Sequence, residues 1–358
     1  MIERLSPDSV AGSPNPDHLG VLPGLGTTSS EIDRGEVPAK LNTISIVIPV
    51  YQGEHTLEPL VAELEPFTRP QISPGGRGYQ IKEIIMVNDG ACDGSDLVMQ
   101  SLADRYPFVI PIWLSRNFGQ HPATLAGITC STMDRVATLD EDGQQDPRDL
   151  GRFLDVAIET GAQLVYARPT NPAPHGFLRN LLSKLAKKIF INVLGFRSVG
   201  EFNSFRLIDG EIARSLSAFC GHGVYLDVAL AWVVRRTAHC PTELREERDR
   251  PSGYNYRKLL AHFWRLVLTS GTVPLRFVAI GGLFSILGGL ALVAYALVGK
   301  LTGRVPIPGW TSLVIVVSVF SGAILFSLGI IAEYLGIVVK MAMGKPTYLM
   351  ISKEVHRS

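Results

Sequence analysis

The chain has 358 residues, enough for one α/β domain of ordinary size and a smaller appended element. Its 34 Lys and Arg residues nearly balance 33 Asp and Glu residues, so the net charge of +1 excludes a long-range field that would attract nucleic acid to the whole molecule. The four cysteines form no C-x-x-C pair, which argues against a zinc knuckle or a disulfide framework.

The chain begins with residues 1–40, which are rich in Pro, Gly, Ser and Asp and contain no continuous apolar run. Such a composition is typical of a disordered tail, and we predict one here. A β-branched strand follows at 44–50 and ends at the loop 51–54. The pattern then predicts a helix over 56–67 and an irregular Pro- and Gly-rich excursion over 71–79.

Strands and helices alternate along the following residues. We predict strands at 81–87, 109–114, 136–139 and 163–167, with helices between them. This alternation favours an α/β domain over 41–250, with a mostly parallel sheet and helices on both of its faces. In such sheets ligands bind beyond the carboxyl ends of the strands, so the residues directly after each strand are the candidates for a site.

Polar clusters follow three of the predicted strands. They are Asn88-Asp89-Gly90, Arg116-Asn117-Phe118-Gly119 and Asp140-Glu141-Asp142. Asp140 and Asp142 project two hard oxygen ligands into one loop, which is the ligand type that Mg²⁺ and Mn²⁺ prefer. Acidic turns are also common on protein surfaces, but the position directly after an apolar strand favours a metal site.

Asp89, Arg116 and Arg206 are further candidates on chemical grounds. Asp89, beside Gly90, can accept a hydrogen bond from a base or a ribose, although a turn or helix-capping aspartate has the same pattern. Arg116 and Arg206 match phosphate oxygens in a bidentate geometry, whereas most surface arginines have no such role. Arg206 lies between apolar residues, where an unpaired arginine would be costly to bury.

Two uncharged runs near the C-terminus, 277–298 and 310–332, are long enough at about 1.5 Å per residue to cross a hydrocarbon core of roughly 30 Å. With the turn between them they predict a transmembrane hairpin over 273–340, and a buried helical pair of a soluble protein is the alternative. Lys and Arg residues are more numerous outside the hairpin than in its turn. The positive-inside rule therefore places the tail 341–358 and the α/β domain in the cytoplasm, and we expect a multi-pass protein of the inner (plasma) membrane.

Two other segments, 173–197 and 252–272, interleave basic residues with large apolar ones. This composition is typical of amphipathic helices that lie on an anionic membrane. Soluble domains use the same pattern for helices that face a core, but proximity to the predicted hairpin favours the membrane surface.

The order of the motifs along the chain resembles that of one enzyme family. The motifs are Ile48-Pro49-Val50-Tyr51, Val87-Asn88-Asp89-Gly90 with Asp93-Gly94-Ser95, Ser115-Arg116-Asn117-Phe118-Gly119, Asp140-Glu141-Asp142-Gly143-Gln144, Arg168, Phe205-Arg206-Leu207 and Tyr254-Asn255-Tyr256. From residue 44 onward the chain resembles the family 2 glycosyltransferases of GT-A fold. Within them it is most similar to the polyprenyl-phosphate glycosyltransferases, a group that includes undecaprenyl-phosphate sugar transferases and dolichol-phosphate mannose synthase.

The resemblance implies inverting transfer of a sugar from a nucleotide diphosphate sugar, with a UDP-hexose favoured, to undecaprenyl or decaprenyl phosphate. It also implies Mg²⁺ or Mn²⁺ as the cofactor and a lipid bilayer as a partner, and it allows a homotetramer. The implied metal ligands are Asp140 and Asp142, and the implied catalytic residues are these two with Arg116 and Arg206. The implied nucleotide-sugar site comprises Pro49, Tyr51, Glu54, Asp89, Gly119, Asp140, Glu141, Asp142, Gln144 and Arg168. The implied contacts of the acceptor phosphate are Arg206, Arg248, Arg250 and Tyr256.

Three positions depart from the family pattern. Asn88 stands where the family usually has Asp, Gly143 stands where Leu is common, and the segment 252–256 lacks the usual lysine. Two rival functions stay open. A processive polysaccharide synthase of the same fold would carry a Gln-x-x-Arg-Trp sequence, which this chain lacks, and a catalytically silent membrane scaffold would not need the acidic residues.

Overall fold

A computed structural model of the chain describes residues 41–171, 202–221, 223–245, 273–302 and 309–352. The predicted tail at 1–40 and both predicted interfacial segments, 173–197 and 252–272, lie outside the described residues.

The described part of the chain alternates strands and helices up to residue 242. The strands are β1 Asn42–Val50, β2 Gln71–Ile72, β3 Gly78–Asn88, β4 Val109–Leu114, β5 Arg135–Thr138, β6 Leu164–Pro169, β7 Arg206–Asp209, β8 Thr237–Thr242 and β9 Met350–Ile351. The helices are α1 Leu57–Leu64, α2 Ser95–Arg105, α3 Gln120–Thr129, α4 Leu150–Thr160, α5 Gly210–Phe219, α6 Leu226–Val233, α7 Val273–Leu301 and α8 Trp310–Ala342. Short 3-10 helices occupy Glu65–Thr68 and Pro147–Asp149.

The nine strands of the described residues join one sheet, in the order β8-β6-β7-β5-β1-β3-β4-β9, with β2 paired to β3. The central strands β5, β1, β3 and β4 are parallel to one another, and β6 is parallel to β8. Strand β7 runs antiparallel to both β5 and β6, and the short strands β2 and β9 are also antiparallel to their neighbours. The predicted mostly parallel α/β sheet is confirmed, with antiparallel strands that the sequence did not indicate.

The core lies on both faces of this sheet, which explains the continuous apolar character of β1. Ile44, Ile46 and Ile48 face one buried cluster together with residues of α1, α2 and α4. Val47 faces the opposite cluster, which contains residues of α3, α5 and α6. Alternate residues of a strand point to opposite faces, so a strand covered on both sides is mostly apolar, and its one fully buried polar residue, Ser45, donates to Glu83 Oε1 at 2.6 Å.

Two boundaries differ from the sequence-based prediction. The helix predicted over 56–67 ends at Leu64 and continues as a 3-10 turn that contains Pro66, a residue without a backbone donor for a continuing α-helix. The region 71–79, predicted to be irregular, contributes β2 and the start of β3, because the turn between Ile72 and Gly78 brings the two strands into antiparallel pairing.

Helices α7 and α8 carry the apolar C-terminal part of the chain, and both were predicted. Among the described residues one stretch, Val319–Ala342, is long and apolar enough to cross a membrane, and only 6% of its apolar window is buried inside the protein. The apolar run in α7, Val278–Ala291, is shorter. The second helix therefore meets the requirement for a membrane span, whereas the full two-helix hairpin stays a prediction.

The residues after α8, predicted only as a cytoplasmic tail, return to the α/β domain. Met350 and Ile351 form β9, which pairs with Leu114 and Trp113 of β4 at the edge of the sheet. A two-residue strand carries too little pattern to be recognised from sequence, so this contact is a product of the tertiary structure.

Candidate active site at the carboxyl ends of the parallel strands

The loops after β1, β3, β4 and β5 meet at one edge of the sheet. These four strands are parallel neighbours, so their carboxyl ends point the same way. The sequence-predicted polar clusters at 88–90, 116–119 and 140–142 follow three of these strands. The structure thus brings together the loops that the motifs indicated.

Asp140 is held from three sides just after β5. The Gln120 amide donates to its Oδ1 at 2.6 Å, and the Gln145 amide and the Ser204 hydroxyl donate to its Oδ2 at 3.0 and 2.5 Å. The Gln145 carbonyl oxygen also accepts from the Asp140 backbone N–H at 2.9 Å. These contacts fix the direction of the carboxylate, so Asp140 is a preorganised group.

The pKa of Asp140 is raised to about 6. Burial is the main cause, and the nearby charges of Asp142 and Glu141 act in the same direction. The hydrogen bond from Ser204 and the charge of Arg206 lower the pKa and oppose this shift. A carboxylate with several acidic neighbours attracts a cation, because the cation relieves their mutual repulsion.

Glu141 and Asp142 are adjacent, but the Glu141 carboxylate binds another loop of the protein and the Asp142 carboxylate is more open. The Glu141 carboxylate accepts backbone N–H bonds from Tyr51 at 3.0 Å and from Gln52 at 3.0 and 3.2 Å, and so ties the loop after β1 to the loop after β5. Asp142 is partly exposed, and its Oδ1 accepts from the Gln144 backbone N–H at 3.0 Å. No hydrogen bond from the described residues reaches its Oδ2, so Asp142 offers the more open carboxylate of the two.

The residues present fit a divalent cation that takes two ligands from the protein and the rest from substrate phosphates and water. No group of three or more His, Cys, Asp and Glu side chains suited to a metal ion occurs among the described residues. Asp142 has one carboxylate oxygen that no hydrogen bond from the described residues reaches, and Asp140 uses three of its roughly four lone-pair sites, so each can still offer a hard oxygen ligand from the same loop. Mg²⁺ is commonly bound by one or two carboxylates together with substrate phosphates and water, so two aspartates are a sufficient protein contribution.

Asp89 is buried, with 3% of its surface exposed, and it holds the loop after β4. Its Oδ1 accepts from the Phe118 backbone N–H at 2.6 Å and its Oδ2 from the Gly119 backbone N–H at 2.8 Å. Burial raises the pKa of Asp89, against the opposing effects of these two bonds and of the charge of Arg116. The structure therefore gives Asp89 a loop-holding role, and both of its oxygens are engaged with protein.

Glycine is needed at two positions in these loops, at Gly90 for a close approach and at Gly119 for its backbone conformation. Gly90 has φ +64°, and a Cβ there would lie 2.6 Å from the backbone nitrogen of Asn117, so any side chain would push the two loops apart. Gly119, which directly precedes α3, has φ +100°, a conformation that side chains rarely adopt.

The loops after β1 and β3 are joined by reciprocal contacts. The Glu54 backbone N–H donates to Asp93 Oδ2 at 3.2 Å, and the Gly94 backbone N–H donates back to Glu54 Oε2 at 3.1 Å. The Gly53 backbone N–H donates to Ser95 Oγ at 2.7 Å. Glu54, predicted as a nucleotide contact, thus helps to shape the loop that borders the strand ends.

Four predicted residues lie on accessible surface near the strand ends. Arg116 is exposed, and its guanidinium carbon lies 4.3 Å from the centroid of the Phe118 ring. Tyr51 is 41% exposed, Arg168 is exposed at the end of β6, and Pro49 is partly buried near the end of β1. Arg116 is therefore an accessible cation in the loop that Asp89 holds.

Arg206 lies elsewhere than predicted from its phosphate-binding chemistry. Only 3% of its surface is exposed; its Nη1 donates to Asp227 Oδ1 and its Nε to the Thr138 hydroxyl at 3.0 Å. The Tyr166 hydroxyl donates to the same Asp227 oxygen at 2.9 Å. Arg206 is thus a buried, paired arginine whose charge acts on Asp140, and its burial argues against direct contact with a phosphate group.

Arg245 is the last described residue before the acceptor-phosphate candidates at positions 248 and 250. Arg245 forms ion pairs with Glu63 at 2.5 Å and Asp146 at 2.9 Å, and its backbone N–H donates to the Gln144 carbonyl at 2.9 Å. These contacts join the loop after β5 to the strand end of β8. The other three acceptor-phosphate candidates, Arg248, Arg250 and Tyr256, lie outside the described residues.

Sequence reasoning missed the polar residues that support Asp140. Gln145 is buried next to the predicted Gln144, and Ser204 and Gln120 come from distant parts of the chain. The apolar surroundings of Arg206 indicated that it needed a partner, but nothing in the local sequence pointed to Asp227. Long-range side-chain partners leave no local pattern, so they emerge only from the fold.

Comparison with known proteins shows that the chain is similar to sugar-transferring enzymes. Residues 45–217 match the family described as Glycosyl transferase family 2. The chain is 26% identical over 87% of its length to a bactoprenol glucosyl transferase of Shigella phage SfX, covering 99% of that protein. It is 28% identical over 87% of its length to an undecaprenyl-phosphate 4-deoxy-4-formamido-L-arabinose transferase of Proteus mirabilis, covering 94% of that protein.

Solved structures show a weaker likeness. Glucosyl-3-phosphoglycerate synthase from Mycobacterium tuberculosis, solved with Mn²⁺, UDP-glucose and phosphoglyceric acid, has a TM-score of 0.48 and 16% sequence identity; the match covers 65% of this chain and 79% of that one.

Proposed function

We propose that this glycosyltransferase, which carries a glycosyl transferase family 2 domain over residues 45–217, transfers a sugar from a nucleotide diphosphate donor to the phosphate of a polyprenyl lipid. The observation that carries the proposal is the presence, in one chain, of an open carboxylate at the strand ends and a largely exposed apolar helix. Relatives named for bactoprenol and undecaprenyl phosphate support the lipid acceptor, because they match along 87% of this chain.

The donor side of the proposed site is the loop after β5. Asp140 and Asp142 would hold a divalent cation, Mg²⁺ or Mn²⁺, and the cation would offset the negative charge of the departing nucleotide diphosphate. Gln120, Gln145 and Ser204 keep Asp140 in one orientation, so no reorganisation is needed when the donor binds. Pro49, Tyr51, Glu54, Glu141, Gln144 and Arg168 shape the surrounding nucleotide-sugar site, and a UDP-hexose is the favoured donor.

The acceptor side is the loop after β4. Arg116 is exposed there and carries a permanent positive charge, which suits a phosphate group at the edge of the site. Asp89 holds this loop through its two backbone hydrogen bonds and so positions Arg116. In this proposal neither Asp89 nor Arg206 contacts a reactant. Asp89 fixes the loop that carries Arg116, and Arg206, paired with Asp227, supplies a buried positive charge that acts on Asp140.

The proposed reaction is an inverting displacement. An oxygen of the acceptor phosphate forms a bond to the anomeric carbon, while the bond from that carbon to the diphosphate oxygen breaks and its electron pair leaves with the nucleotide diphosphate. A phosphate monoester is already anionic near pH 7, so no strong general base is required. Positioning of two anionic reactants and neutralisation of their charge then supply most of the rate enhancement.

The apolar helices provide the membrane contact that such an acceptor requires. Val319–Ala342 is exposed along almost its whole apolar length, and an aqueous environment would make that surface costly. We assign it as a span of the inner membrane, with α7 as the second span of a hairpin and the α/β domain in the cytoplasm, as the distribution of Lys and Arg indicates. Both helices then bring the site to the lipid head groups, and a homotetramer is compatible with this arrangement.

A direct assay tests the proposal. Purified full-length protein in detergent is incubated with undecaprenyl phosphate, Mg²⁺ or Mn²⁺ and a panel of nucleotide sugars, and the lipid products are identified by mass spectrometry. We expect one glycosylated undecaprenyl monophosphate, its absence with a chelator, and its return when the metal is added back. A sugar polymer or a glycosylated soluble acceptor, with no glycolipid, would contradict the proposed acceptor.

A further inference from the structure

The short segment that follows α8 connects the proposed membrane span directly to the catalytic sheet. Residues 343–349 separate the end of α8 at Ala342 from β9 at Met350. Fully extended, a connection of this length spans at most about 25 Å, because each residue adds no more than ~3.6 Å. We call residues 343–352 the return segment.

The return segment is attached to the domain at several points. The Ser115 backbone N–H donates to the Leu349 carbonyl at 2.9 Å, which extends the pairing of β9 with β4. The Tyr348 hydroxyl and the Thr129 hydroxyl are hydrogen-bonded at 2.7 Å, and the Thr347 hydroxyl donates to the Cys220 carbonyl at 3.3 Å. Contacts with three different elements resist both rotation and sliding of the segment.

Two of these contacts fall on elements that end in the proposed active site. Ser115 directly precedes Arg116, the exposed cation of the loop after β4. Thr129 lies at the end of α3, and the first residue of that helix, Gln120, donates to Asp140. Asp89 holds the far end of the same loop through Phe118 and Gly119. The loop 115–119 is therefore held by the domain core on one side and by the return segment on the other.

We propose that the return segment is a positioning element, which sets the height and orientation of the Arg116 loop relative to the bilayer so that the phosphate of a membrane-embedded lipid meets it. The inference rests on the proposed function. A lipid phosphate is confined to the membrane surface, so a fixed connection raises its effective concentration at the loop, whereas a loose tether of the same length does not. A phosphate acceptor dissolved in water is not confined to the membrane surface, so this connection does not raise its effective concentration at the loop.

The test compares two acceptors in three variants of the full-length protein in lipid vesicles. Ile351→Pro removes a backbone N–H from the two-residue strand β9, and Tyr348→Phe removes one hydroxyl and leaves the backbone intact. Gln71→Pro is the matched control, because β2 is also a two-residue antiparallel edge strand and Gln71 faces Tyr79 in a hydrogen-bonded pair, but β2 pairs with the start of β3, at the opposite end of that strand from the site. The acceptors are undecaprenyl phosphate in the vesicle and a short-chain, water-soluble isoprenyl phosphate.

We expect Ile351→Pro to lower kcat/KM for undecaprenyl phosphate by about tenfold, with Tyr348→Phe lowering it by about threefold. For the soluble acceptor both variants should stay within about twofold of the parent protein, and Gln71→Pro should affect the two acceptors equally. Equal losses for both acceptors in Ile351→Pro and Tyr348→Phe, or no loss for either, would overturn the inference. These outcomes would leave the proposed function intact as long as the parent protein glycosylates undecaprenyl phosphate. Failure of the parent protein to glycosylate either acceptor would refute the proposed function itself.

Discussion

The loops after β3 and β5 both present an aspartate at the end of a buried parallel strand, yet the structure uses them in opposite ways. Asp89 gives both carboxylate oxygens to backbone N–H groups of a neighbouring loop and is almost fully buried. Asp142 accepts one bond from its own loop and stays partly exposed. Asp89 thus holds the shape of the site, whereas Asp142 is open to a ligand.

The two aspartates differ in which backbone N–H donors would lose their acceptor if the carboxylate were removed. Without Asp89, two backbone donors between packed loops lose their acceptor, and buried unsatisfied donors are costly. Without Asp142, one backbone N–H near solvent loses a partner that water can replace. Loss of activity and loss of stability should therefore separate between the two loops, and the following changes test that separation.

Replacement of the open carboxylate should give the largest effect on activity. Asp142→Ala should lower kcat/KM for sugar transfer by about a thousandfold, because the cation that Asp142 would hold offsets the charge of the leaving group, and a group in that role is typically worth this much. Its free energy of unfolding should change by less than about 0.5 kcal/mol. Parallel measurement of glycolipid formation and thermal unfolding checks both statements. Asp104→Ala, which removes an exposed carboxylate on α2, is the control and should change neither.

Removal of the buried arginine should give the largest effect on stability. Arg206→Met leaves Asp227 as an unpaired buried charge, and breaking such a pair typically costs about 3–5 kcal/mol. Chemical denaturation of the detergent-solubilised protein measures the loss. The double variant Arg206→Met with Asp227→Leu removes both charges and should recover part of that stability. A single variant as stable as the parent would mean that Arg206 is not the structural support that its buried ion pair indicates.

Replacement of the closed carboxylate should affect both properties to an intermediate degree. Asp89→Asn keeps the shape of the side chain but turns one acceptor oxygen into a donor, so one of the N–H groups of Phe118 and Gly119 is left without an acceptor, at about 1–3 kcal/mol. Activity should fall by about tenfold because the loop of Arg116 is less well held. If Asp89→Asn abolished nucleotide binding while leaving the melting temperature unchanged, the residue would contact the donor after all.

The smallest effect should be a pH-dependent one at the rim of the β5 loop. Burial raises the pKa of Asp146, but hydrogen bonds from Arg148 and Arg245 outweigh it and hold the pKa at about 2, below the ordinary value of 3.8. The ionised form is thus the one the fold favours. The resulting stability is fully present above about pH 4 and is lost as the pH falls toward 2.

Asp146→Asn should therefore cost about 1–2 kcal/mol at pH 7, a value reduced for solvent screening of the exposed arginines. The difference between this variant and the parent should shrink as the pH is lowered from 5 toward 3, as measured by thermal unfolding across that range. A difference that stays constant with pH would show that the ion pairs of Asp146 contribute nothing through its charge.

Local sequence patterns predicted the centre of the fold well because that centre is built from strong periodic signals. The run at 44–50 is apolar on both faces, which indicates a covered parallel strand, and the structure places β1 there between β3 and β5. The polar clusters at 88–90, 116–119 and 140–142 followed from the same reasoning, since the ends of parallel strands must meet. The short strands β2 and β9 were missed because two residues carry no periodic signal.

The amino-acid sequence by itself determined the α/β class, the apolar C-terminal helices and the strand ends at which chemistry is proposed. Only the tertiary structure decided how each polar residue is used: Asp89 as a support for a loop, Arg206 as the buried partner of Asp227, and Gln145 with Ser204 as holders of Asp140. The physical reason is that residue type fixes which bonds a side chain can form, whereas the partner that satisfies them comes from a distant part of the chain and is selected only when the sheet has folded.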